Sequence, residues 1–282
     1  MLCKMAIPKT ARMEKNLGKK AVVNQLDISA PFQWLAKGIS DFLACPTLAI
    51  FYGIVFTVVT YGSWSFLSMS STFHDVSTPL LAIIILVLGP ITAMSLYESS
   101  RKLANGETPS LSNVIKAAFK TNGGCPSIFL SVILMVLAIG WMSFSPLIYA
   151  VFNTGSLNIV SEDQTVIQSI LAEITSGQNM GFVITYAIFT GVLAWIAFMI
   201  SWFSFPMVLD RDVDPFTAAL SSLSAAMKNK LVMIVWIPIV GAIILAAMAL
   251  TYNFYFAGLI IVIPVIAHAT WHAYKSMIAD IK

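Results

Sequence analysis

The sequence predicts an all-α protein: a bundle of six transmembrane helices in three hairpins, each hairpin preceded by an amphipathic helix at the membrane surface. Three observations carry that expectation: an apolar excess, six long uncharged stretches, and basic residues confined to alternate connections. Of 282 residues, 58% are hydrophobic and only 10% charged, against about 45–50% and about 25% in an average soluble domain. A soluble exterior has to meet water. The composition therefore excludes a soluble enzyme, a secreted disulfide scaffold and a disordered chain. A net charge of +3 is too small to suggest nucleic-acid binding, and the expected solvent is the lipid bilayer.

A spanning helix needs about 20 mostly apolar residues. Six stretches qualify, at about 47–68, 78–98, 127–152, 182–208, 231–251 and 254–275, and none has Asp, Glu, Lys or Arg at its centre. Basic residues mark the cytoplasmic side of a membrane protein. Seven precede the first stretch, among them Lys4, Arg12 and Lys37. Four follow the second (Arg101, Lys102, Lys116, Lys120), three follow the fourth (Arg211, Lys228, Lys230), and Lys275 and Lys282 end the chain. The alternate connections 69–77, 153–181 and 252–253 have none. Both termini are accordingly expected in the cytoplasm, with the protein in a bacterial inner membrane. The first 30 residues are polar and Lys-rich and lack the apolar run of a signal peptide. They read as a flexible cytoplasmic arm ahead of one membrane domain, 31–282.

Three units of similar plan follow, at about 31–104, 110–213 and 214–276. Each opens with apolar residues at helical spacing: Phe32, Leu35, Ile39, Phe42, Leu43; Leu111, Val114, Ile115, Ala118, Phe119; and Phe216, Ala219, Leu220, Leu223, Met227. A one-sided stripe of this kind predicts a helix lying in the membrane interface. Cys45-Pro46 and Cys125-Pro126 lead into outward spans, where proline suits a first helical turn. Each returning span carries a proline, Pro90, Pro206 or Pro264, ahead of polar residues. A pseudo-threefold arrangement would gather those polar ends. The external connection 153–181 carries Glu162, Asp163 and Glu173 beside the apolar Ile167, Ile170, Leu171 and Ile174, the pattern of a surface helix.

The residues left over define a candidate polar site: Glu98, Asp210, Arg211, Asp212, His268, Trp271 and His272. His268 and His272 are four apart, so they share one helix face and can grip one divalent metal ion, as two imidazoles do in zinc enzymes. Glu98, Asp210 and Asp212 would then complete or orient the ligand set. The structural alternative has the histidines hydrogen-bonding neighbouring helices, Trp271 and Tyr274 forming an interfacial belt, and the acids pairing with Arg101 and Arg211. Asp214-Pro215 reads as a helix cap. Cys3, Cys45 and Cys125 contain no Cys-x-x-Cys spacing, and no phosphate-cradling or nucleophile-elbow motif is present. No catalytic residue is assigned.

Three segments carry a family resemblance. They are Gly89-Pro90 through Leu96-Tyr97-Glu98-Ser99-Ser100-Arg101; Ser204-Phe205-Pro206 through Leu209-Asp210-Arg211-Asp212-Val213; and Pro264 through His268-Ala269-Thr270-Trp271-His272-Ala273-Tyr274-Lys275. With the order of spans they resemble a bacterial family of predicted integral membrane proteins, domain of unknown function 2189, over about residues 32–276. The family has no established activity, and some members carry a cytochrome c oxidase label. A haem-copper catalytic core needs about six histidines, and this chain has three, so no haem is expected. The resemblance implies an accessory or assembly component of a membrane complex, respiratory by that label, with other subunits as partners. A small-solute or metal-ion transporter or channel using the polar site, and a metal-dependent membrane enzyme, are the alternatives.

Overall fold

The computed structural model describes residues 22–69, 77–119, 126–152, 174–177, 179–211 and 213–278. Among them the chain is all-α, with one isolated bridge between Val23 and Ile278. The helices are α1 (Ala30–Ala44), α2 (Pro46–Met69), α3 (Ser77–Ala104), α4 (Leu111–Phe119), α5 (Pro126–Phe152), α6 (Met180–Ser201), α7 (Ser204–Asp210), α8 (Pro215–Lys228), α9 (Lys230–Leu250) and α10 (Leu259–Met277). Pro46 and Pro126 open α2 and α5 as expected.

Among the described residues, four stretches are long and apolar enough to cross a membrane: Pro46–Ser63, Ser127–Phe152, Met180–Asp210 and Lys230–Leu250. They correspond to the first, third, fourth and fifth expected spans. The second and sixth fall on α3 and α10, which are not among the four. α10 is 19 residues long and its second half carries His268, Thr270, His272, Tyr274 and Lys275.

Two boundaries differ from expectation. The last span does not begin at 254. A 3-10 turn, Tyr252–Phe254, comes first. Tyr255 and Phe256 follow at φ 57° and 60°, a left-handed conformation that ends a helix, so α10 starts only at Leu259. Apolarity is continuous across this turn, which hid it. The fourth span is likewise broken at Trp202–Phe203 into α6 and α7. The Phe203 N–H donates to Ser222 Oγ at 3.1 Å, and that hydroxyl donates to the Met199 carbonyl at 2.7 Å. A serine on α8 thus satisfies backbone groups that the break leaves open. Pro206 sits in the first turn of α7, where its missing N–H costs little.

The helices α2 and α3, α5 and α6, and α9 and α10 pack as neighbours, and α10 also packs on α1, α2 and α3. The three short helices share one orientation. On α8 the large residues Phe216, Leu220, Leu223 and Met227 point outward, while Thr217, Ala218, Ser221, Ser222, Ala225 and Ala226 are buried. On α1, Phe32, Ile39 and Leu43 are exposed and Trp34 and Gly38 buried. On α4, Leu111 and Ile115 are exposed. Val114 is the exception, fully buried, and the side chains of Ala118 and Phe119 lie outside the description.

Close crossings at α10 depend on glycine. A Cβ on Gly38 would stand 2.7 Å from the Val265 carbonyl oxygen and 2.8 Å from the Ala269 nitrogen. A Cβ on Gly53 would collide with the Ile260 carbonyl. Small residues allow this approach between membrane helices.

Part of the expected arm is tied down. Asn24 N–H donates to the Met277 carbonyl at 2.7 Å and Leu26 N–H to Asn229 Oδ1 at 2.9 Å. Asn229 Nδ2 donates to the Asn24 carbonyl, and Lys228 Nζ to that of Val23. The rest of the arm, Cys125 and most of the external connection lie outside the described residues.

Gly53→Ala is expected to cost about 2 kcal/mol, within the range for overpacking. Gly62→Ala, on the same helix with nothing within 4 Å of the added Cβ, is expected to be neutral or slightly stabilising. Thermal unfolding of the two purified variants compares them directly.

Candidate functional site

The polar ends of α3, α7 and α10 pack against one another. On α3, Ser95, Glu98, Ser99 and Ser100 are all buried. On α10, His268 is fully buried and Trp271 and Tyr274 nearly so. The expected residues are thus neighbours, but they divide into separate networks.

The first is acid and base. Glu98 takes a two-pronged pair from Arg101, with Nε at 2.7 Å and the second guanidinium nitrogen at 2.9 Å. Such planar pairing is the strongest geometry an arginine offers a carboxylate. Asp210 accepts from the Tyr274 hydroxyl at 2.9 Å and from Lys275 Nζ at 3.1 Å. Arg211 closes the group: its Nε donates to the Tyr274 oxygen at 2.9 Å and its terminal nitrogen to the Ile278 carbonyl at 3.1 Å. The Lys275 ammonium also lies over the Trp271 ring, 5.8 Å from its centre. Trp271 therefore belongs to the core instead of an interfacial belt.

The second network joins the histidines to α1 and α3. His272 Nε2 lies 2.8 Å from Asp41 Oδ2, and His268 Nδ1 lies 2.7 Å from Ser100 Oγ. Ser100 also stands beside the Asp41 side chain. Burial pushes the Asp41 carboxyl up. The hydrogen bonds from His272 and Ser100, with the charges of His272 and His268, outweigh it and hold Asp41 below the usual carboxylate value.

Each imidazole thus has its own partner. Glu98 and Asp210, expected to complete a metal ligand set, are turned to Arg101 and Tyr274. Among the described residues no three His, Cys, Asp or Glu side chains come together in a group able to hold a metal ion. Asp212 lies outside the description. Asp214 caps α8, accepting from Thr217 N–H at 2.9 Å.

Asp41 and Ser100, which bond His272 and His268, are members of this polar cluster that the sequence did not single out. Asp41 is the lone acid of α1 and follows Lys37 by four residues, the spacing of an ordinary surface ion pair. Only its pairing with His272 across 231 positions reveals its part.

A chain of packed helices with several long apolar segments and buried, internally paired charges is an integral membrane protein. Residues 77–210 match the model of a family described as Predicted integral membrane protein (DUF2189). The resemblance read from the Gly89–Arg101 segment and from Ser204 through Asp210 holds over this stretch, which stops short of the His268–Lys275 segment. No curated protein matches the chain, and no solved structure does.

Stability should carry the sign of the Asp41 linkage. A carboxyl lowered by folding stabilises above its unfolded pKa, near 3.8, and loses that contribution as pH falls through its folded pKa. Acid unfolding followed by helicity below about pH 4 should show this loss. In Asp41→Asn that component of the pH dependence should vanish, and the protein should be less stable at pH 7 by about 1–3 kcal/mol.

Proposed function

We propose that this chain is a non-catalytic accessory or assembly component of a larger membrane complex. It would cross a bacterial inner membrane six times, with both termini in the cytoplasm and three interfacial helices around its inner rim. The reading is carried by one observation: the long apolar helices are poorly covered by the described residues. In an 18-residue apolar window of Met180–Asp210 only 11% is buried, and in that of Lys230–Leu250 only 17%. These are helices with wide faces left for lipid or for other subunits.

The α6 face has the texture of a helix contact. Ala187, Gly191 and Ala194 are exposed on it, beside Ile184, Ile188 and Trp195. Nothing lies within 4 Å of a Cβ built on Gly191. Glycine weakens a helix by about 1 kcal/mol against alanine, and its common use in membrane helices is to let another helix come close. The pairing of Glu98, Asp210, Asp41 and His272 inside the chain suits a structural part for these charges. The oxidase label borne by some family members makes a respiratory complex the first to test.

After mild detergent extraction, the chain is expected to co-purify with such a complex. Gly191→Leu should cut that recovery about tenfold while leaving the isolated protein's stability within about 1 kcal/mol. A chain that runs alone under these conditions, in cells whose oxidase content is unchanged by its deletion, overturns the reading.

A further inference from the structure

Protein interiors leave few voids larger than a water molecule, so a larger one asks for a reason. One opens where the corner between α1 and α2 faces the connection from α3 to α4. Its volume is about 390 Å³, inside the range of about 300–1,000 Å³ for ligand pockets. Ala44, Leu48 and Phe51 line one side, and Pro109 and Leu111 the other.

Both walls are held from behind. At the corner, Cys45 N–H donates to the Asp41 and Phe42 carbonyls, and Ala49 N–H to the Cys45 carbonyl at 3.1 Å. Gly38 and Gly53 seat the two helices of this corner closely against α10. On the far side α4 packs on α3. There Lys102 Nζ donates to the Glu107 carboxylate at 2.6 Å, and Glu107 N–H to the Lys102 carbonyl at 2.9 Å. Closing the gap would mean giving up one of these supports.

The lining selects the occupant. No charged side chain lines the cleft, and Thr47 supplies its only hydroxyl. Pro46 and Pro109 bring no N–H. A trapped water needs about two to four polar partners, and these side chains offer few. An apolar cavity of about 150 Å³ already stays dry and takes up an apolar guest. Left empty, the walls forfeit their dispersion contacts. The surroundings name the source of the guest. Leu43, Phe51 and Leu111 are exposed beside the cleft, and Ile50, Ile54 and Val58 continue the apolar surface along α2. The stretch Pro46–Ser63 is apolar enough to cross a membrane, so the cleft is continuous with a surface that faces the bilayer.

We propose that one acyl chain of a bilayer phospholipid fills this cleft, wedged between the α1–α2 corner and the start of α4. The inference goes beyond the accessory reading and needs only that the chain sits in a bilayer.

Retained lipid tests it on the isolated full chain, extracted in a mild nonionic detergent, exchanged repeatedly into fresh detergent and weighed intact by native mass spectrometry. One phospholipid per chain is expected to survive the exchange. Ala44→Phe puts a ring into the cleft and should cut the lipid-bound fraction about tenfold. Thr47→Phe, entering from α2, should do the same. Ala36→Phe, exposed on α1 but not among the lining residues, should leave the fraction unchanged. Thermal unfolding supplies a second readout. Dioleoyl phosphatidylethanolamine added in detergent should raise the Tm of the stripped wild-type chain, because only the folded state holds the lipid. Ala44→Phe should unfold higher than the stripped wild type, its cavity being filled, and should not respond to the lipid. A wild-type chain that keeps no phospholipid and shows no thermal response overturns the proposal. So does a phospholipid kept equally by Ala44→Phe and Thr47→Phe, since it then lies elsewhere. A cleft that takes no lipid, but whose filling costs the chain a co-purifying protein, is a subunit contact. That result overturns the proposal while supporting the accessory reading.

Discussion

Two backbone-to-backbone crossings on α10 govern the arrangement of the rest. In lipid, helices gain little by hiding apolar surface from one another, so contact has to come from close packing and hydrogen bonds. Gly38 and Gly53 let α1 and α2 approach α10 nearer than any side chain would allow. Ala267, Ala269 and Ala273 line α10 with small buried residues. Once α1 is this close, Asp41 reaches His272 and Trp34 Nε1 reaches Ser276 Oγ at 3.0 Å. Trp34 then anchors an aromatic cluster, edge-on to Trp236 at 5.4 Å and to Trp202 at 6.1 Å. That cluster ties α1 to α9 and to the break between α6 and α7.

The polar groups at this level could not be left as they arrive. An unpaired charge is costly away from water, and three helix ends bring acids and bases into one buried region. The chain solves this locally. Glu98 is matched within its own helix by Arg101, and Asp210 by Tyr274 and Lys275. Asp41 is matched by a histidine from the far end of the sequence. Asn229 performs the same service for bare backbone, bonding Asn24 and Leu26 where the segment before α1 crosses the junction of α8 and α9. The segment before α1 is thereby joined to the end of α10 through Val23 and Ile278.

Much of the architecture is legible in the sequence, because the apolar lengths and the proline positions are local signals. The short helices at α1, α4 and α8, the cap at Asp214 and the proline starts of α2 and α5 all follow from spacing alone. Which side of an amphipathic helix is buried does not. Phe32, Ile39, Phe216 and Met227 read as core-facing in a soluble protein, yet here they look outward and the small residues look in. The candidate site was legible only in its membership. His268 and His272 share a face, as their spacing requires, but they bond to Ser100 and Asp41 separately. A partner 231 positions away leaves no mark in local spacing. The turn at Tyr255 and Phe256 was likewise invisible, because two aromatic residues with positive φ look like more membrane.

A surface of large apolar side chains around an aromatic core with small residues and paired charge at its crossings has a consequence for recognition. Apolar bulk distinguishes neither lipid from protein nor one subunit from another, since lipid tails are as apolar as leucine. Specificity has to come from shape, from the few small residues set among the large, and from polar groups at the rim. The face of α6 around Gly191 offers the first, and the exposed lysines Lys37 and Lys116 on the short helices offer the last.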